Sequence, residues 1–388
     1  MPWKEVSVVN LRKEFVDLAK NSENITRLCK NFGISRKTGY KWLERFENDG
    51  QTGLENLSRR PVNSPGRIST GIEKAIIHVR EKHQAWGGRK IRRFLENRGM
   101  SNVPAASTIT EVLRRNGLIN DFESTKHSPF QRFERPHPND LWQMDFKGHV
   151  ACPEGRCHPL TVLDDHSRYS LVLKACLNER TETVQSCLIE AFRQYGLPNQ
   201  MISDNGSPWG NHGHNPFTKL TVWLMRLSIL VSNSAPAHPE TMGKDERFHR
   251  TLKAELLGES LPWRNEQVQE KFDQWRFQYN HDRPHEALAM EVPATRFQIS
   301  KRPFPESLPP IEYGSTDIIR KVQNNGVLHF KGREFQVPRA LVGFPIALRP
   351  RAQCDGLFEL YFVRQLVMVI DLNDHDKTKS VTHVPEHL

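Results

Sequence analysis

Apolar residues recur at helical spacing through the first third of the chain and alternate with polar ones through much of the remainder. In residues 1–57 one stripe runs through Leu11, Phe15, Leu18 and Ala19. A second runs through Ile25, Leu28, Cys29 and Phe32, and a third through Trp42, Leu43 and Phe46. Gly33-Ile34 interrupts the last two, and Ser35 stands where a helix N-cap belongs. A short helix, a glycine turn and a capped helix predict a helix-turn-helix unit. Residues 58–68 hold two prolines and three arginines and read as an extended basic linker. A second helical unit follows over 69–120. There Thr70 and Glu73 are spaced as a capping box before Ile76, Ile77 and Val79. Gly87-Gly88 makes a hinge, Ser107 is placed to cap a helix through Ile109, Val112 and Leu113, and Gly117 ends it. Residues 121–138 form another linker.

From 139 the period changes. Trp142, Met144 and Phe146 alternate with Gln143, Asp145 and Lys147, which predicts a strand that buries one face and turns Asp145 the other way. Leu160–Leu163 and Tyr169–Leu173 flank the polar run Asp164-Asp165-His166-Ser167-Arg168 as a hairpin. A helix from Thr181 to Tyr195 ends at Gly196. Strands follow at Met201–Asp204 and Leu227–Val231, and a helix carrying Glu246 begins after Pro239. Strands first and helices later predict a mixed α/β domain over 139–302. Residues 311–388 alternate again, with turns at Asn324-Asn325-Gly326 and Lys331-Gly332, and predict a small β-barrel-like domain. The chain is therefore multidomain: all-α units, an α/β core and a small β domain.

Charge sharpens this division. The 388 residues carry a formal charge of +10. Residues 1–136 hold 26 Lys/Arg against 15 Asp/Glu, and residues 137–388 hold 29 against 30. The positive excess sits on the helical units, where attraction to a polyanion would be salt-dependent. Arg36, Lys37, Tyr40 and Lys41 open the capped helix, where a recognition helix meets bases and phosphates. Arg59 and Arg60 lie in the basic linker, and Arg89, Lys90, Arg92 and Arg93 follow the glycine hinge. These residues are candidate DNA contacts. Six cysteines show no paired framework, which fits a reducing compartment. With no run of about 18 apolar residues, no membrane partner is expected, and the reading is cytoplasmic and nucleoid-associated.

Three acids carry the candidate chemistry. Asp145 lies in a strand, Asp204 closes a second strand before Asn205-Gly206, and Glu246 stands in a basic helix. Two strand carboxylates and one helix carboxylate suit hard divalent cations held against a phosphodiester. Arg250 and Lys253 share the helical face of Glu246, Lys244 precedes it, and all three are candidate phosphate contacts; His249 is a further candidate. Taken singly, each acid also has an ordinary structural reading, as a strand, turn or surface ion-pair residue. Cys152, Cys157 and His158 are too poorly spaced for structural zinc.

The chain resembles an integrase-core (DDE) transposase of a bacterial insertion sequence, related to retroviral integrases. The resemblance rests on Leu141–Phe146, Leu163–Arg168, Ser203–Gly206, His238–Leu252 and Tyr279–Leu288. It implies an RNase H-like core with Asp145, Asp204 and Glu246 as catalytic metal ligands. It also implies two Mg²⁺ ions, with Mn²⁺ as substitute, and a homo-oligomer on double-stranded DNA comprising terminal inverted repeats and target. A shorter spacing, common in the family, would select Glu240; the Gly-Lys-x-Glu-Arg context favours Glu246. The rival reading is a DNA-binding regulator with an inert integrase-like domain.

Overall fold

The computed structural model describes residues 7–21, 24–57, 68–119, 134–204, 206–210, 217–233, 243–258, 261–352 and 354–373. The chain divides into two compact units, residues 1–67 and 68–388.

In the first unit α1 (Val8–Lys20), α2 (Ile25–Asn31) and α3 (Arg36–Asp49) enclose Phe15, Val16, Cys29 and Leu54. The Ser35 hydroxyl accepts from the Thr38 amide and caps α3, as its position in the sequence predicts. Gly33 takes the left-handed turn between α2 and α3.

The second unit opens with α4 (Thr70–Lys82), α5 (Gly88–Asn97) and α6 (Ala106–Arg115) around Ile76, Trp86, Ile91, Ile109 and Leu113. The cap of α4 is Ser69, which accepts from Ile72, and not Thr70; the neighbouring hydroxyls compete and the helix starts one residue earlier. Glu73, freed from capping, pairs with Arg115 at 2.6 Å. Likewise α6 starts ahead of Ser107 with no side-chain cap. Gly88 is required by close approach: a Cβ there would stand 2.3 Å from the Ala106 carbonyl oxygen.

A six-stranded sheet follows. Strands β1 (Leu141–Phe146), β3 (Gly155–Asp164) and β4 (Ser170–Cys176) are antiparallel, and short β2 (Val150–Cys152) extends the β1 edge along β3. On its other side β1 pairs in parallel with β5 (Gln200–Ser203), which pairs in parallel with β6 (Leu230–Asn233). Helices α7 (Thr181–Tyr195) and α8 (Lys219–Arg226) pack with the sheet around Trp142, Leu188, Phe192 and Leu224. Helices α9 (Gly243–Leu252) and α10 (Asn265–His281) bury Phe248, Leu252, Phe272 and Tyr279 with Leu163 and Leu173 of β3 and β4. The strand expected at 227–231 starts three residues later, because Leu227 still closes α8.

The C-terminal strands form two sheets. β7 (Ile318–Lys321), β10 (Pro345–Pro350), β11 (Leu357–Phe362) and β12 (Gln365–Asp371) make one, in the order β12-β11-β10-β7. β8 (Val327–Phe330) and β9 (Arg333–Gln336) make a hairpin across Lys331-Gly332. The described strands close no barrel. The turn at 324–326 joins strands of different sheets, since β7 pairs with β10. Phe217, Val222 and Met225 share one apolar cluster with these sheets, so α8 belongs to two cores.

Candidate metal centre and nucleic-acid interface

The burial of β1 relaxes toward its C-terminal end, where Asp145 keeps 30% of its side chain exposed. The parallel ladder of β1 and β5 ends at Gln143 and Ile202; Asp145 lies two residues further along β1, and Asp204 directly follows the last residue of β5. Burial, and then the Asp204 charge, raise the Asp145 carboxyl from 3.8 to about 7. Asp204 is exposed, and its Oδ1 accepts from the Gly206 amide at 3.0 Å.

Helix α9 supplies the other side. Asp245, Phe248, His249 and Leu252 are its buried stripe, at i, i+3, i+4 and i+7. An aspartate and an imidazole therefore occupy core positions. His249 Nε2 lies 3.3 Å from Asp245 Oδ2, and its Nδ1 lies 3.8 Å from Asp145 Oδ2. One ligand atom from each of Asp145, Asp245 and His249 lies within 4.8 Å of the others. Thr161, paired with Asp145 across β1 and β3, donates to the Asp145 carbonyl at 3.0 Å and meets His249 Nε2 at 2.8 Å. Burial lowers His249 to about 3, keeping it neutral, and raises Asp245 well above the usual carboxylate range, with Asp145 adding to that rise.

Glu246, one residue past Asp245, is exposed on the first turn of α9. Among the described residues, Asp204 and Glu246 stand outside the 4.8 Å group, although Asp204 acts on Asp145 and Glu246 on Asp245 through their charges. Glu240 lies outside the described residues.

The start of α9 is pinned by a buried polar chain. The Asp245 amide donates to Gln143 Oε1, and Gln143 Nε2 donates to Asp165 Oδ1 at 2.9 Å. Asp165 also accepts from the Arg135 amide and pairs with Lys244. The sequence suggests Lys244 for DNA phosphates, yet its side chain is only 15% exposed and turns inward because the fully buried Asp165 carboxylate needs a cation. Burial, then Arg168, lower its ammonium to about 8. Asp164 accepts from the amides of Asn139 and Ser167 and from the Ser167 hydroxyl, and so shapes the β3–β4 turn.

The remaining basic residues divide. Arg36, Lys37, Tyr40 and Lys41 are exposed along the first half of α3, and Arg250 and Lys253 are exposed near Glu246. Arg59 and Arg60 lie outside the described residues. On α5, Arg93 pairs with Glu291 at 2.6 Å, Arg89 stands 4.0 Å from Glu286, and Arg92 pairs with Glu96. Lys90 is half-buried, its ammonium lowered to about 8 by burial and Arg283. Of these four, Arg93 is engaged by Glu291 and Arg89 lies loosely against Glu286, while Arg92 pairs within α5 and stays partly exposed. His158 pairs with Glu179 at 2.7 Å, and burial raises the Cys157 thiol to about 12. Asp245 and Thr161 are functional candidates that sequence reasoning misses. The available signal is an Asp and a His, four apart, in the apolar stripe of α9.

Residues 135–239 and 227–293 match integrase core domain families, and residues 317–378 match the C-terminal domain of the IS481 family of transposases. Over these segments the chain is similar to integrase-core transposases of insertion sequences. Its helical units match a helix-turn-helix domain at 11–61 and a homeodomain-like domain at 38–113. The chain is 26% identical over 165 residues to an insertion element IS476 uncharacterized 39.2 kDa protein of Xanthomonas euvesicatoria, covering 42% of this chain and 46% of that one. It is 24% identical over 284 residues to the transposase for transposon Tn552 of Staphylococcus aureus, covering 65% and 56%. The chain thus spans about half the length of these curated relatives. Among solved structures it is similar to a simian T-cell lymphotropic virus intasome chain, at 15% identity and a TM-score of 0.37, covering 77% of this chain and 98% of that one. No helix among the described residues is long and apolar enough to cross a membrane.

Proposed function

We propose that this chain is an insertion-sequence transposase that binds the ends of its own element, hydrolyses DNA to free 3′ ends, and transfers those ends into target DNA, acting as a homo-oligomer in the nucleoid-bearing cytoplasm. The observation that carries the reading is that the Asp204 charge acts on Asp145, the two lying near the same end of the neighbouring strands β5 and β1. β1 and β5 are parallel neighbours, Asp204 directly follows β5, and its charge hinders ionisation of Asp145. Two hard carboxylate donors that repel in this way fit a divalent cation, since an ion would remove the repulsion. Asp145, Asp204 and Glu246 would hold two Mg²⁺ ions, or Mn²⁺ in their place. When bound, such ions activate water and stabilise the leaving 3′ oxygen.

The chain's own residues supply the remainder. Thr161 links His249 and Asp245 of α9 to β3 and to the Asp145 carbonyl, and Glu246, next along that helix, would complete the acids. Arg250 and Lys253, exposed on the same helical run, would hold backbone phosphates there, and α3 would read the element end through Arg36, Lys37, Tyr40 and Lys41. The test is nicking of duplex ends by Asp145→Asn, Asp204→Asn and Glu246→Gln. Each should lose activity by at least about a hundredfold, with end binding nearly unchanged. Glu240→Gln should retain activity. Loss in Glu240→Gln with retention in Glu246→Gln would reassign the third acid. Tight end binding by a wild-type chain that never nicks would favour the regulator.

A further inference from the structure

Glu255 forms a second buried polar centre, distinct from the acids. It lies in the π-helical turn Lys253–Leu257, which continues directly from α9. Its Oε1 accepts from Trp86 Nε1 at 3.2 Å and from Arg283 Nε at 2.9 Å, and its Oε2 accepts from Trp275 Nε1 at 3.1 Å. The three donors come from three places: the α4–α5 turn, the loop after α10, and α10 itself. Glu255 and Arg283 side chains are 11% and 8% exposed, so the arrangement is shielded from solvent.

Trp86 is the telling partner. Its ring is buried in the core of the second helical unit, stacked on His83 with centroids 3.9 Å apart and edge-on to Phe94. Its one polar atom nevertheless reaches a carboxylate of the integrase core. A buried indole N–H requires an acceptor, and a buried carboxylate that loses a donor is costly, so neither side moves freely. Around this point Arg93–Glu291, Arg98–Asp282 and Arg89–Glu286 run between the same two surfaces. Exposed ion pairs of that kind orient more than they stabilise.

We propose that Glu255 is a positioning residue that ties the second helical unit to the helix carrying Glu246, so that DNA held by this unit meets the acids at one fixed spacing. The inference rests on the transposase reading. It makes the second unit a ruler: the distance between the recognised sequence and the cut is set by the contact of Trp86 with Glu255. Trp86→Phe removes the tie and keeps an aromatic ring in the helical core. Glu255→Gln keeps the shape but presents an amide N–H₂ to at least one of its three donors. Trp275→Phe removes a donor to the same carboxylate from within the integrase core, and serves as control.

The experiment uses the full chain, Mn²⁺ and an end-labelled duplex selected for binding to it, and reads cut positions at nucleotide resolution. Wild type and Trp275→Phe should cut at one dominant position. Trp86→Phe and Glu255→Gln should spread the cuts over several nucleotides, with duplex affinity within about threefold of wild type. Hydrogen exchange without DNA supplies a separate readout: Trp86→Phe should speed exchange of amides 249–257 and leave α1–α3 unchanged. A single wild-type cut position in Trp86→Phe, or unchanged exchange at 249–257, overturns the inference. A wild-type chain that cuts nothing overturns the transposase reading instead, and the exchange result then decides the tie alone.

Discussion

Replacing Asp145 by Asn should make the cation-free protein more stable at neutral pH, although it removes a residue proposed to be essential. Asp145 ionises at about 7 in the folded chain against an ordinary value of 3.8, because burial and Asp204 penalise its charge. Below pH 3.8 the carboxyl is protonated folded or unfolded and costs nothing. As pH rises from there the unfolded chain ionises first, and folding stability falls until about pH 7, above which the cost is complete. At about 1.36 kcal/mol per pH unit, the rise corresponds to at most ~4 kcal/mol. With 30% of the side chain in contact with solvent, screening brings this to roughly 1–2 kcal/mol. Urea unfolding of wild type and Asp145→Asn in EDTA, at intervals from about pH 4 to 8, should show curves that coincide at the acid end and diverge through neutrality. Added Mg²⁺ should then raise wild-type stability and leave the variant unmoved. An Asp145→Asn chain less stable than wild type at mildly alkaline pH, or a difference independent of pH, would refute the account of Asp145.

Other outcomes follow from the same geometry. Cation binding must displace the Asp145 proton, so affinity for Mn²⁺ should fall about tenfold per pH unit below about 7, with proton release measurable by calorimetry in buffers of different ionisation heat. Thr161→Val should cost about 1–3 kcal/mol by stranding His249 and Asp245, and should slow nicking without weakening end binding, as gel-shift and nicking assays on one preparation would reveal. Gly88→Ala should destabilise the 68–119 helices by about 1–3 kcal/mol or more, since its methyl would press on the Ala106 carbonyl; circular dichroism melting checks this. Residues 1–67 alone should bind duplex DNA with affinity that drops steeply with salt. Arg36→Ala or Lys41→Ala should each lower the salt slope by about one.

Much of the architecture is legible because period and punctuation agree. Thr181–Tyr195 reads as a helix stopped by Gly196 and is one, and the alternation around Trp142 and Met144 locates β1. That strand buries both faces, however, because α9 covers the side that carries Gln143 and Asp145. β10 is hidden because prolines stand at both its ends, and proline ordinarily argues against a paired strand. The Asn-Asn-Gly turn reads as a hairpin because local chemistry carries no information about which strand takes the partner position; tertiary pairing gives it to β10. At the site, spacing identifies Asp145 and Asp204 as chemically marked. It does not disclose that Asp245 and His249 face inward, since helical phase is fixed by the apolar Phe248 and Leu252 and the polar pair follows them. Lys244 and the α5 cations show the same limit: a basic run reports charge, and only the fold shows which carboxylate lies opposite.

The double membership of α8 bears on how this protein should be dissected. A chain cut within the proline-rich segment 303–310 would strip the cover from Phe217, Val222 and Met225, wetting one flank of the helix that also supports β6. Inactivity of such a truncation would then report a damaged catalytic scaffold and say nothing about duties assigned to the strands beyond the cut. Point substitutions on the outward faces of β11 and β12 would separate the two.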